Sequence, residues 1–189
     1  MTVEEIFSHI SSHMIKGLMI HDQIAAMFNF LNLRGYSKCH EYHYFEESFN
    51  YRRLQNYYLK HFNKLIIEEK VDNPAIIPQN WFKYERMDVD SSTKRNAIRD
   101  IFKQWVNWET ETKALYASSY KELYDLGQVA AALEISYYLE DVSNELMRAR
   151  EKYMDLESYG YDLVEIIDEQ DKLYDLYIEK ISRMMNNYD

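Results

Sequence analysis

Apolar residues recur at three- and four-residue steps along most of this chain. Val3, Ile6, Phe7, Ile10, Met14, Gly17, Ile20, Ile24, Phe28 and Leu31 fall on one stripe, the period of an amphipathic α-helix. Thr2 followed by Glu5 fits a capping box, and Gly35 sits where a helix C-terminus usually turns. The first helix is therefore expected over about residues 2–34. A second, over about 37–70, carries Phe45, Phe49, Leu54, Tyr58, Phe62, Leu65 and Ile66. The period then breaks across 71–90, where Asn73, Pro74, Pro78, Asn80 and Asp88 gather and Trp81, Phe82 and Tyr84 are expected to pin the connection to the core.

Ile98, Ile101, Phe102, Trp105, Trp108, Leu115 and Tyr120 mark a third helix over about 91–125. Val129, Ala132, Leu133, Tyr137, Leu139, Val142, Leu146 and Ala149 mark a fourth over about 127–158. A fifth, over about 161–187, uses Leu163, Ile166, Ile167, Leu173, Leu176, Ile178, Ile181 and Met184. Its near-heptad spacing suits either a cap on the bundle or a seam with a second copy. Two tight turns separated by one long connection describe an all-α four-helix bundle with a single crossover and an additional C-terminal helix. One helical domain over 1–189 is expected.

Composition agrees. The 189 residues include only 4 glycines and 2 prolines, too few for the turns of an all-β fold, and 47% are apolar, enough for a buried core. The net charge of −10 opposes generic binding to nucleic acid or anionic membranes. No run of 18 apolar residues is present, and the single cysteine, Cys39, forms no internal disulfide, so a reducing cytoplasmic setting is expected.

The candidate chemistry lies in three segments, HDQIAAMFNFLNLRGY, HEYHYFEES and LEISYYLEDVSNELMRARE. Residues equidistant from the turn of an antiparallel hairpin lie at one height. With the first turn near Gly35 and Tyr36, His21 and Asp22 stand level with Glu47 to Asn50; with the second near Leu126 and Gly127, Glu109 and Glu111 stand level with Asp141 to Asn144. Each of the four helices then offers a carboxylate or an imidazole. The three segments resemble the ferritin-like superfamily, and the stretch from Phe28 to Ser48 is similar to the DNA-protecting mini-ferritins. The resemblance spans roughly Ser11–Arg150. It implies a ferritin-like bundle with an intrabundle carboxylate site for iron or manganese, ferroxidase-like oxidoreductase chemistry and a homo-oligomer.

The expected metal set is His21, Asp22, His43, Glu47, Glu109 and Asp141. Such imidazole and carboxylate donors suit iron, manganese or zinc. The chain departs from the family where Glu-x-x-His is required, because it reads Glu47-Ser-Phe-Asn50 and Asp141-Val-Ser-Asn144, and an amide oxygen is a weak ligand beside imidazole. Phe30 also stands at the position of the mini-ferritins' first ligand histidine. Two readings therefore stand together: a metal-binding protein handling iron or oxidants, and a metal-free scaffold that binds another protein through its 18 tyrosines. The DNA-protecting role does not carry over, since Met1–Ile6 holds no basic tail. His40 and Glu41 are expected at the start of a helix, and His9 and His13 in solvent.

Overall fold

The computed structural model describes residues 1–72, 74, 76–77, 81, 84–85 and 89–186. Among them it has five helices: α1 (Val3–Phe30), α2 (Arg34–Phe62), α3 (Ser91–Asp125), α4 (Val129–Ser158) and α5 (Leu163–Asn186). α1 with α2 and α3 with α4 form two antiparallel hairpins, joined by the long crossover, and α5 packs on α2. This is the ferritin-like bundle with one additional helix.

The capping box forms as expected: the Thr2 hydroxyl accepts from the Glu5 amide, and Glu5 accepts from the Thr2 amide at 2.8 Å. Asp90 caps α3 by accepting from the Thr93 amide at 2.9 Å. Each such cap satisfies an amide with no partner inside the helix and is worth about 1 kcal/mol.

Two boundaries differ from expectation, and asparagine causes both. The first turn is Leu31-Asn32-Leu33, not Gly35-Tyr36: Asn32 takes a left-handed φ of 60°, which asparagine tolerates, and the Leu33 amide donates back to Phe28. Gly35 lies instead inside the first turn of α2. Its role is closeness, because a Cβ there would stand 1.7 Å from the Gln170 carbonyl oxygen of α5. The second helix ends at Phe62, where Asn63 adopts φ 54°. Residues 64–70 then run back along α1 as a non-helical strap, its Ile66 buried and its Glu69 amide donating to Ser12 at 2.8 Å.

Trp81 packs edge-on to Phe30 at 5.9 Å, which anchors the crossover as expected. Asn73, Pro78, Asn80, Phe82, Asp88 and Asn187 lie outside the described residues.

The buried side chains form two separate apolar clusters. One gathers Ile24, Phe28, Tyr36, Phe102 and Trp105 at the end holding the α1/α2 turn; the other gathers Phe7, Ile10, Leu54, Tyr58, Leu123 and Ile135 at the opposite end. Polar residues fill the layer between them.

Candidate metal centre

That layer follows from where the two turns fall. Eleven residues before Asn32 is His21 and eleven after it is His43; eighteen before Gly127 is Glu109 and eighteen after it is Glu145. Positions equidistant from each left-handed turn residue meet across each hairpin. All four residues are 9% exposed or less.

Around them stand His40, Glu46 and Glu47. The imidazoles of His21 and His40 face each other with Nδ1 atoms 3.1 Å apart, so one must donate to the other. His43 stacks 5.4 Å from His21 and its Nδ1 donates to Glu145 Oε1 at 2.8 Å. Glu46 Oε2 is 3.2 Å from the same Nδ1, but that proton is directed to Glu145, and Glu46 Oε2 is left without a hydrogen bond. One ligand atom from each of His43, Glu46 and Glu145 lies within 4.8 Å of the others, so a single cation can touch all three. On the α3 side, Trp105 Nε1 donates to Glu109 Oε1 at 2.9 Å, and His21 Nε2 stands 3.8 Å from that oxygen. This is too long for a hydrogen bond but within the spacing of two ligands on one ion. His21 Nε2 and Glu47 Oε2 are both buried with no hydrogen-bond partner.

Electrostatics follow from burial. Desolvation pushes the Glu47 carboxyl well up, helped by the charges of Glu145 and Asp141. Desolvation and Glu145 do the same to Glu109. Glu145 itself is raised by burial, against the opposing pull of His43. His21 and His40 are held well below the ordinary histidine value, first by desolvation and then by neighbouring imidazoles. His43 is the exception. Burial alone would lower it, but the charge of Glu145 and hydrogen bonds from its neighbours carry it well above 6.5. The layer therefore stores protons and one compact ion pair where burial of bare charge would cost several kcal/mol per ion.

Of the expected metal set, His21, His43, Glu47 and Glu109 converge in this layer. Asp22 does not. It is exposed, about 100° round α1 from His21, because the true turn sets His21 and not its neighbour opposite α2. Asp141 is half-buried at the rim and accepts from Asn50 Nδ2 at 3.3 Å, so the asparagine in the histidine position is spent on a carboxylate. Asn144 and Glu111 are exposed.

His40, Glu46 and Glu145 extend the expected set. His40, expected at an exposed helix start, is 1% exposed, since α2 begins three residues earlier than its pattern suggests and carries the ring inward. The signal that would have found His40 was Asn32, a residue that readily ends a helix in the left-handed conformation, and Glu145 followed from counting evenly about Gly127. His13 also differs from expectation. It stacks on Trp108 at 4.1 Å, and desolvation followed by Lys16 lowers it to about 4. His9 stays largely in solvent, paired with Glu69 at 2.8 Å.

Neither a protein-family model nor a curated protein sequence matches the chain. Solved structures do. An engineered closed form of the Archaeoglobus fulgidus ferritin superposes with a TM-score of 0.74 at 14% identity, over 92% of this chain and 96% of that one. The open-pore ferritin of the same archaeon matches with a TM-score of 0.74 at 14% identity, over 90% and 94%. An iron-soaked PmFTN variant matches with a TM-score of 0.72 at 10% identity, over 88% and 95%. The chain thus has the ferritin-like fold over nearly its whole length. At such identities the likeness concerns the fold and leaves the centre to its own residues.

Proposed function

We propose that this protein binds a divalent cation, iron or manganese, inside its bundle, with His43, Glu46 and Glu145 as the first ligands and His21, Glu47 and Glu109 beside them as a further donor set. The observation that carries this reading is the burial of unpartnered donor atoms, His21 Nε2 and Glu47 Oε2, within a layer of imidazoles and carboxylates drawn from all four bundle helices. Native interiors rarely leave such atoms unsatisfied. A divalent ion would satisfy them and offset the like charges of Glu47, Glu109 and Glu145. The chain's own chemistry in this step is proton release: the carboxyls and His43 must shed protons to act as ligands. The structural neighbours are ferritins, one of them soaked in iron, which supports iron as the cargo by analogy of fold.

The competing reading, a metal-free scaffold, draws on the 2.8 Å His43–Glu145 pair, which satisfies part of the layer without an ion, and on Asn50 being engaged by Asp141. Metal analysis of protein purified without chelator or nickel resin separates the two. Binding near stoichiometric levels that disappears in a His43→Ala, Glu145→Ala double variant supports the centre. Protein that is metal-free, takes up no ferrous iron or Mn²⁺ in anaerobic titration and melts at an unchanged temperature with either ion would falsify it.

A homo-oligomer in the cytoplasm completes the proposal. Leu133, Tyr137, Met147 and Met154 are exposed on α4 within roughly a 100° arc, interleaved with exposed Glu140, Asn144 and Glu151, a mixed face that suits a second copy or another protein. Among the described residues no helix is long and apolar enough to cross a membrane.

A further inference from the structure

The apolar halves close the polar layer at both ends, but a cavity of about 250 Å³ reaches it from the side between α2 and α4. The backbones of those two helices hardly approach one another, and α5 lies over the gap. Cys39, His40 and Trp105 form part of the cavity's inner wall, and Leu173 and Tyr177 of α5 its outer wall. His40 and Trp105 belong to the cavity and the polar layer at once. His40 meets His21 and lies 5.9 Å from the His43 ring, while Trp105 donates to Glu109. Along α2, Cys39 or His40, His43, and Glu46 or Glu47 follow at three- and four-residue steps, so donor atoms climb one helix face from cavity to centre.

The rim carries charges of both signs. Arg148 stands there with exposed Glu151 and Asp155, and Lys152 is already held by Glu169 of α5. α5 is unevenly attached. Its buried residues, Ile166 and Gln170, are both in its first half, where the Gly35 amide donates to Gln170 Oε1 at 2.8 Å and the Tyr36 hydroxyl donates to Glu169 at 2.9 Å. Its second half rests on the bundle through Tyr177, 5.7 Å from the Tyr42 ring, and Lys180 above the same ring. Tyr42 in turn donates to Glu46, the half-buried ligand.

Resting on the metal-binding reading above, we propose that the cavity under α5 is the chamber through which a divalent cation reaches His43, Glu46 and Glu145, and that α5 from Leu173 onward is its movable roof. Borderline-soft donors, Cys39 and His40, precede the hard carboxylates, an order that lets a partly dehydrated first-row ion pass inward. The start of α5, through Ile166 and Gln170, is the fixed side, locked by the close approach at Gly35.

The test is stopped-flow mixing of the full chain with Co²⁺, read by quenching of tryptophan emission. Leu173→Ala opens the roof and is expected to raise the association and dissociation rate constants together by roughly tenfold, leaving Kd unchanged, because a gate alters a barrier and not its end states. Leu173→Trp fills the chamber and is expected to slow both. Circular dichroism accompanies each variant, and if Leu173→Trp fails to fold, Leu173→Ala decides alone. Wild-type binding with rates unmoved in Leu173→Ala, or with Kd shifted through dissociation only, overturns the chamber and spares the centre. Absence of Co²⁺ binding to the wild type overturns both.

Discussion

Glu145 holds His43 in its charged form, and the pair is buried, so removing one partner strands the other. Glu145→Ala is therefore expected to lower the stability of the metal-free protein by about 3 kcal/mol in urea titration near pH 6, with Glu145→Gln costing less because its oxygen still accepts from Nδ1. The sign follows from the raised His43 value: its contribution is complete below the ordinary histidine value of 6.5 and disappears as pH rises through the elevated one. The same titration at high pH should show a smaller difference between wild type and Glu145→Ala. The histidines and glutamates of HEYHYFEE were visible in the sequence as candidate donors, and His43 and Glu47 were placed inward, as they are; that His40 also turns inward was not visible. That depended on the residue at which the preceding chain reverses, and a shift of three residues in the first turn brings His43 instead of Glu47 to Asn50 level with His21.

At the scale of elements, the decisive positions are small. Asn32 sets the register of the first hairpin at φ 60°. Asn32→Gly should be nearly neutral, whereas Asn32→Val should cost about 1–2 kcal/mol, the penalty of a left-handed conformation for a branched side chain, as measured by chemical denaturation. Gly35 sets the docking of α5. Gly35→Ala places a Cβ against the Gln170 backbone at 1.7 Å, which no rotamer relieves, so α5 must shift. The expected loss is about 1–3 kcal/mol, with earlier cleavage in α5 under limited proteolysis than in wild type. The five helices and the crossover were legible from periodicity and breakers, because a stripe of apolar residues records which face each helix buries. The strap at 64–70 was not, because Leu65 and Ile66 continue the apolar pattern past the point where Asn63 ends the helix.

At the scale of the molecule, the centre couples stability to pH in two directions. His13, lowered to about 4, contributes stability that is present above 6.5 and lost as pH falls toward 4, and the lowered His21 and His40 add to it. Glu47 and Glu109 are raised, so their neutral forms suit the fold and stability is lost as pH rises through their elevated values. A divalent cation reverses the second effect by taking the place of the protons. The gain in melting temperature on adding Mn²⁺ should therefore grow between pH 6 and pH 8, as read by calorimetry in paired samples. A gain that shrinks with pH would show that the ion binds elsewhere. Light scattering on the same samples tests whether the exposed α4 face assembles copies of the chain.

The residue pattern by itself determined that this chain is helical, how many helices it has and that two hairpins are joined by a crossover, since each follows from the period of apolar positions and from where glycine, proline and asparagine interrupt it. It also placed His21, His43, Glu47 and Glu109 among the candidate donors. Only the tertiary structure decided which donors meet. Height within a bundle depends on the single residue that turns each hairpin, and inward direction changes by 100° with every step along a helix. The same holds for α5. Its heptad-like pattern announced an apolar face, but the gap between α2 and α4 that it covers comes from the spacing of two other helices, which no local pattern records.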